Sequence, residues 1–249
     1  MVVRILAALF LVTACWSQQP EFEAASIKPA APSQSGSNFN RTAGGGIRAT
    51  NVTLKDLILF AYDIREQQLV GGPAWMDKTP YDVVAKPSEN DNPTGVKLSF
   101  DEEFSGIRLK MRALLASRFQ VQAHNETREM PIYVLVVAKN GAHLEPSKAE
   151  GLTINNRQGL TICKKVTMAR FAASSLTYRM GRTVVDKTGL AGEYDFEIKF
   201  VDDRAAAAGD TSGPDFLTAM REQIGLRLEP QKGPVEVLVI DRAGKASEN

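Results

Sequence analysis

The amino-acid sequence predicts an α+β protein made of two tandem related modules, each about β-α-β-β-α-β-β, with the helices packed on one face of the sheet. Three observations lead to this prediction: a helix-start pattern, a Tyr-Asp strand and a β-rich apolar run each occur twice, in the same order. The spacing between the members of a pair falls only from 114 to 103 residues along the chain. An internal duplication with small changes in loop length explains this order.

The first helix of each module is predicted from a threonine N-cap followed by apolar residues spaced i, i+3 and i+4. In the first copy Asp56 lies three residues after the threonine and predicts a capping box, whereas Arg170 occupies that position in the second copy. The matched positions are Thr53, Leu54, Leu57 and Ile58 in the first copy and Thr167, Met168, Phe171 and Ala172 in the second.

The later elements of the two modules match in the same way. We expect a strand at Tyr-Asp, then an amphipathic helix, and then two strands that form a hairpin, 119–123 with 132–138 and 226–229 with 235–240. The matched sets are Tyr81-Asp82-Val83 with Tyr194-Asp195-Phe196, Ile107, Met111 and Leu115 with Phe216, Met220 and Ile224, and 130–139 with 233–242.

These motifs divide the chain into a signal peptide of lipoprotein type (1–14), an N-terminal strand and flexible loop (15–46), module 1 (47–145), a linker (146–158) and module 2 (159–249). The linker and the loops are assigned from their Pro, Gly, Ser, Asn and Asp content.

The composition excludes partners that are recognised by charge alone. The chain has 249 residues, of which 43% are hydrophobic and 24% charged, and its formal net charge is +1. A nucleic-acid-binding protein or a polybasic membrane sensor would need an excess of Lys and Arg, which this sequence lacks. We therefore expect an ordinary globular protein without a nucleic-acid partner.

The N-terminus predicts export. Arg4 precedes ten apolar residues, 5–14, which are too few to cross a bilayer, and Val12-Thr13-Ala14-Cys15 resembles a bacterial lipobox. In that interpretation Cys15 receives a diacylglycerol and anchors the protein to a membrane. Trp16 after the cysteine favours the outer membrane, with the protein facing the periplasm. The alternatives are cleavage by an ordinary signal peptidase, which gives a secreted or soluble periplasmic protein, and an uncleaved anchor.

Several motifs together resemble the soil-associated protein family. This family is known mainly from Acidobacteria and is classed as a domain of unknown function. The motifs include FEAASIKP (22–29), QLVGGPAW (68–75), MRALLASRF (111–119) and VVDKTGLAGEYDF (184–196). This resemblance implies an exported protein. Each module also has a fainter similarity to the short N-terminal domain of secretins and TonB-dependent receptors, which implies protein-protein contact in the periplasm.

One turn is a candidate binding site. Gly71, Gly72, Pro73 and Trp75 lie in GGPAW, where the indole ring could form a platform in a ligand cleft. The alternative is a turn closed by packing of Trp75 on the sheet edge.

No residue pattern indicates a catalytic, metal or cofactor site. His124 and His143 are the only histidines and are not accompanied by ligands at metal-site spacing. DKTGLAGEYD (186–195) lacks the order of carboxylates that a calcium loop needs, so we expect a tight turn there. Cys163 lies in an apolar run, which favours a buried, inert thiol.

The sequence therefore favours a non-enzymatic binding or interaction module, with an unknown envelope protein or glycan as partner. Two alternatives are a hydrolase that uses carboxylates in a cleft between the modules, and a purely structural envelope lipoprotein.

Overall fold

The computed structural model describes residues 20–31, 36–87, 100–202, 207, 209 and 212–246. The chain divides into two compact units. Unit 1 contains the described residues of 20–64, 72–122 and 240–246, and unit 2 contains Arg65–Gly71 and Ala123–Val239.

In the described part of the chain, helices separate runs of one to four strands. The strands are β1 (Ala24–Pro29), β2 (Asn38–Thr42), β3 (Gly46–Thr53), β4 (Leu69–Gly71), β5 (Pro80–Lys86), β6 (Gln122–Val137), β7 (Glu145–Pro146), β8 (Thr153–Arg157), β9 (Leu160–Val166), β10 (Val184–Asp186), β11 (Tyr194–Lys199) and β12 (Leu226–Arg242). The helices are α1 (Leu54–Tyr62), α2 (Phe100–Arg118), α3 (Met168–Phe171), a π-helical turn at Ala172–Leu176, α4 (Thr177–Met180) and α5 (Phe216–Gln223), with 3₁₀ turns at Ala43–Gly45 and Glu66–Gln68.

The strands form three four-stranded sheets, so the predicted α+β class is confirmed. Unit 1 holds the sheet β1-β5-β3-β2, and unit 2 holds the sheet β7-β11-β9-β8. In both sheets all neighbouring strands are antiparallel. The third sheet has the order β10-β6-β12-β4, and its β10 runs parallel to β6.

Both predicted threonine N-caps are confirmed. The Thr53 hydroxyl accepts the N–H of Asp56, and the Asp56 carboxylate accepts the N–H of Thr53, which completes the predicted capping box of α1. The hydroxyl of Thr167 accepts the N–H of Arg170 at the start of α3. Each helix therefore begins at the residue that the sequence indicated.

A β-bulge precedes each of these helices. In β3 the pairing with β5 shifts between Ala49 and Val52, and the bulged residue Asn51 has a positive φ of 54°. Its N–H donates to Oδ1 of Asp82 at 2.9 Å. In a regular strand the buried residue after Ala49 would be Asn51. The extra residue makes Val52 the buried residue instead, so the residue before the cap faces the core.

The same bulge occurs in unit 2. The pairing of β9 with β11 shifts between Cys163 and Val166, and Lys165 has a positive φ of 54°. The N–H of Lys165 donates to Oδ1 of Asp195 at 2.8 Å. Two hydrogen bonds hold the pKa of Asp195 below its usual range, because both stabilise the charged carboxylate. The bond from the Ser147 hydroxyl has the larger effect, and the bond from this N–H has the next largest.

The predicted apolar faces of the second helices are also confirmed. All six matched positions are buried, namely Ile107, Met111, Leu115, Phe216, Met220 and Ile224. The C-terminal ends of α2 and α5, however, correspond at a different spacing. The N–H of Phe119 donates to Leu115 O, and that of Ile224 donates to Met220 O, and the next residues, Gln120 and Gly225, have φ values of 51° and 68°. These ends correspond at a spacing of 105 residues instead of the predicted 109, a shift of about one helical turn that keeps the same face buried.

The predicted hairpin at the end of each module is wrong. One continuous strand, β6, runs from Gln122 to Val137, and one strand, β12, runs from Leu226 to Arg242. The polar residues and prolines within these segments suggested turns, but β6 and β12 are the inner strands of the third sheet and extend through them. The segment predicted as a linker, 146–158, contains the whole of β8 and the last residue of β7.

In the described parts of the chain we find no helix that is both long and apolar enough to cross a membrane.

Substitution of Gly225 tests how α5 ends. A Cβ at this position would overlap the carbonyl oxygen of Gly141 and lie 3.0 Å from Cα of Ala142, and the residue has a left-handed conformation. We expect Gly225→Ala to lower the free energy of unfolding by about 2 kcal/mol or more, as measured by urea titration.

Gln120→Gly provides the matched control. Gln120 already carries a side chain at a positive φ, so its replacement by glycine should change the free energy of unfolding by less than about 1 kcal/mol. Equal stability of Gly225→Ala and the unmodified protein would contradict the close approach of these two backbone segments.

Candidate functional site

The predicted GGPAW site forms a turn. Gly71 ends β4, and Gly72 follows with a φ of 85°. The N–H of Met76 donates to Pro73 O at 3.0 Å, and the carbonyl of the half-buried Trp75 accepts the N–H groups of Lys78 and Thr79. These bonds agree with the interpretation of the motif as a closed turn, and its role as a ligand platform stays a prediction.

The turn is also tied to the start of α1. The N–H of Lys55 donates to the carbonyl of the buried Met76 at 3.0 Å, and a Cβ at Gly72 would lie 3.2 Å from Sδ of Met76. A side chain at position 72 would therefore require a small shift of Met76 and would be strained at this positive φ.

Asp186 and Asp195, at the two ends of the glycine-containing loop, accept hydrogen bonds from different residues. Asp186 accepts the N–H and the hydroxyl of Thr188, at 2.9 and 2.8 Å. Asp195 accepts the hydroxyl of Ser147 and the N–H of Lys165. This agrees with the predicted tight turn, and among the residues that the structure describes no group of three or more His, Cys, Asp or Glu could hold a metal ion.

The two histidines form hydrogen bonds of different kinds. His124 is exposed, and its Nε2 lies 3.2 Å from Glu126, which also binds Arg128 at 2.7 Å. These bonds, that from Arg128 most strongly, lower the pKa of the Glu126 carboxyl. The backbone N–H of His143 donates to Ile224 O. The other predicted site residue, Cys15, lies outside the described residues.

A cavity that the sequence analysis missed lies within unit 1. It has a volume of about 180 Å³ and lies between the segment that leads into β1 and the C-terminal half of α2. The helix contributes side chains at positions 110, 113, 114, 117 and 118, which share one face. The strand side contributes residues 21–25. This spacing on α2 was visible in the sequence, but nothing in the sequence showed which strand would face it.

The cavity wall brings charges of both signs together. Lys110 is only 6% exposed, and its Nζ lies 5.7 Å from the ring centroid of Phe22. Nη2 of Arg118 lies 3.5 Å from the carbonyl oxygen of Ala25. The exposed side chains of Glu21 and Glu23 also line the cavity. A lysine so fully buried is unusual in proteins, because removing an ammonium group from water is unfavourable unless other groups compensate.

The hydrolase hypothesis requires two carboxylates in one pocket. The sequence analysis placed these carboxylates in a cleft between the modules, whereas Glu21 and Glu23 line a cavity within unit 1, so the hydrolase hypothesis stays a prediction.

A second depression lies in unit 2 and is more open. It has a volume of about 480 Å³ and is bordered by Leu160, Phe200, Val201 and Pro214.

The comparison with protein families gives one match. A family model described as "Protein of unknown function (DUF3738)" matches residues 55–243, which is most of the chain. No curated protein matches the chain, and no solved structure matches it.

The thiol of Cys163 offers a test of the core of unit 2. The side chain is fully buried, and this burial raises the pKa of the thiol to about 12 because the thiolate would lose its hydration. We expect Cys163 to react with a thiol reagent at pH 8 at least about 100-fold more slowly in the folded protein than in urea. The measurement uses a chain that begins at Trp16, so that Cys163 is its single cysteine. Equal rates in the two states would show that this core is open to solvent.

Proposed function

The chain belongs to the DUF3738 family of proteins of unknown function, and we propose that it acts as an exported, lipid-anchored binding protein built from two related modules. The cavity between the β1 segment and α2 is the observation that carries the binding role. Lys110 and Arg118 line this cavity from one face of α2, and ammonium and guanidinium groups of this kind bind anionic ligand groups.

Two of the three four-stranded sheets support the duplication. Their strand orders, β1-β5-β3-β2 and β7-β11-β9-β8, place corresponding strands at corresponding positions. Asn51 and Lys165 have the same left-handed conformation in the same bulge, and an aspartate accepts the N–H of each. A shared fold class alone would not require an extra residue at the same place in both sheets.

The ends of the second helices give independent support. The carbonyl of Phe119, after α2, accepts the N–H of Gly244, which follows β12. The carbonyl of Ile224, after α5, accepts the N–H of His143, which follows β6. Each helix is thus closed by the segment that follows the long strand of the other copy. Such a reciprocal arrangement is expected if the protein arose by fusion of two copies that exchanged these segments.

The N-terminal sequence supports the location. The apolar leader and the lipobox-like residues up to Cys15 favour an outer-membrane lipoprotein facing the periplasm, with plain secretion as the alternative. The resemblance to the soil-associated family and the fainter one to the secretin and TonB-receptor domain favour the same compartment. An envelope protein or a glycan therefore remains the class of partner to search for.

Lipidation can be tested directly. We expect Cys15→Ser to abolish metabolic labelling with radioactive palmitate and to release the protein from the membrane fraction, because the acylated thiol is then absent. Cys163→Ala should keep both the label and the membrane location. Labelled Cys15→Ser protein would show that the lipobox interpretation is wrong.

The binding role can be tested with envelope extracts. The immobilised chain from Trp16 onward should retain at least one envelope component, and Lys110→Met, which keeps most of the apolar length of the side chain, should lose it. Lys187→Met, at an exposed position, should retain it. Retention of the same components by all three proteins, or of none by any, would contradict a binding role for the cavity.

A further inference from the structure

We propose that the cavity of unit 1 binds a small phosphate–ammonium zwitterion, the headgroup chemistry of phosphatidylethanolamine. The inference rests on the proposed binding role of this cavity and assigns it a lipid headgroup as the ligand, in place of the envelope protein or glycan named above. The lining residues that carry it are Glu21, Glu23, Lys110 and Arg118.

The helix side of the cavity suits the phosphate. Lys110 and Arg118 lie two helical turns apart on the same face of α2, and both line the cavity. An ammonium group and a guanidinium group donate charge-assisted hydrogen bonds to phosphate oxygens, which are among the strongest hydrogen bonds in proteins. Because Lys110 is 6% exposed, a bound anion would be recognised in a partly desolvated environment, where such bonds are stronger than in water.

The strand side suits the ammonium. Glu21 and Glu23 lie two residues apart, and both line the cavity, whereas the ring of Phe22 between them in the sequence packs against Lys110. Two carboxylates accept hydrogen bonds from a primary ammonium group. A simple anion would leave these carboxylates near its negative charge, so the arrangement favours a ligand that carries both charges.

The size of the cavity limits the ligand to a headgroup. Its volume of about 180 Å³ is well below that of sites for drug-sized molecules. Since one water molecule occupies about 30 Å³ of the liquid, the space holds roughly six water-sized groups, comparable to phosphoethanolamine. The acyl chains of a lipid would have to stay outside, in the bilayer.

The position of the cavity in the sequence explains why the source would be a membrane. Glu21 follows Cys15 by six residues, and six residues span at most about 22 Å in any conformation. A lipid on Cys15 would therefore keep the mouth of the cavity close to the headgroup layer. Occupancy by a headgroup would add a second contact to a single anchor and raise the effective affinity for the membrane.

The test uses the soluble chain from Trp16 onward, which lacks Cys15 and contains every described residue. Titration with glycerophosphoethanolamine, followed by NMR, should show saturable binding. Lys110→Met should weaken it about tenfold or more, because one charge-assisted hydrogen bond is lost. Lys187→Met serves as the matched control and should bind as the unmodified chain does.

The ammonium half has its own comparison. Glu21→Gln with Glu23→Gln should weaken binding of glycerophosphoethanolamine but not of glycerophosphate, which has no ammonium group. Equal affinity of the unmodified chain for these two compounds, or no effect of Lys110→Met despite an unchanged urea midpoint, would overturn the proposal.

Vesicles separate the two sources of the zwitterion. The soluble chain should sediment with vesicles of phosphatidylethanolamine and phosphatidylcholine but not with phosphatidylcholine alone, whose quaternary ammonium has no N–H to donate. Binding of the free compound without sedimentation would reject the membrane source. Because the chain lacks Cys15, a negative result leaves the lipid anchor untouched, and retention of another envelope component by the cavity would preserve the binding role while overturning the zwitterion.

Discussion

In the β1-β5-β3-β2 sheet and in the β7-β11-β9-β8 sheet, one inserted residue in an inner strand determines how the first helix leaves the sheet. A strand with regular alternation would direct Asn51 and Lys165 towards the core and the following valines away from it. The bulge reverses the phase, so that Ala49 and Val52 are buried in unit 1, and Cys163 and Val166 in unit 2. The N–H that the bulge removes from the ladder is satisfied by an aspartate on the neighbouring strand. The threonine cap then follows directly, and the helix begins over the buried face.

From this common start the two units form helices of different length. In unit 1, α1 ends after nine residues at Asp63, which has a left-handed conformation. In unit 2 a π-helical turn separates α3 from α4, and the left-handed residue is Gly181. The buried hydroxyl of Thr177 donates to Ala172 O and accepts the N–H of Val184, which ties the helix to β10. The hydrogen bonds of this one side chain join the end of the π-helical turn to the strand that follows it.

How far the sequence predicts this fold depends on how local each signal is. Thr53 and Thr167 could be identified as caps because an N-cap involves residues only three positions apart. The apolar faces around Met111 and Met220 could be identified because the helical period does not change with small shifts of register. For the same reason the pattern does not distinguish a spacing of 109 residues from one of 105: a shift of about one turn buries the same stripe, and only the backbone at Gln120 and Gly225 differs between the two alignments.

Features that depend on pairing between distant segments could not be predicted. The long strand β6 contains Pro131 and a polar half, and both are typical of a turn unless a neighbouring strand continues alongside. The cavity depended on the same kind of information. Lys110 and Arg118 have the spacing of one helix face, but an amphipathic pattern does not show whether a buried lysine faces a cavity or a protein partner.

The cavity lies in unit 1, whose β1 and α2 are longer than β7 and α5 of unit 2. Strand β1 has six residues and α2 has 19, whereas β7, which has the same position in its sheet, has two residues and α5 has eight. The short β7 and α5 cannot form the same wall, because the cavity needs both the segment before β1 and the last turns of a long helix. On the proposed duplication, both copies keep the bulge and the cap, which the fold requires. Only one keeps the extensions that enclose a site. A duplicated scaffold can divide its tasks in this way, since the changes that shorten one copy leave the shared sheet geometry unaltered.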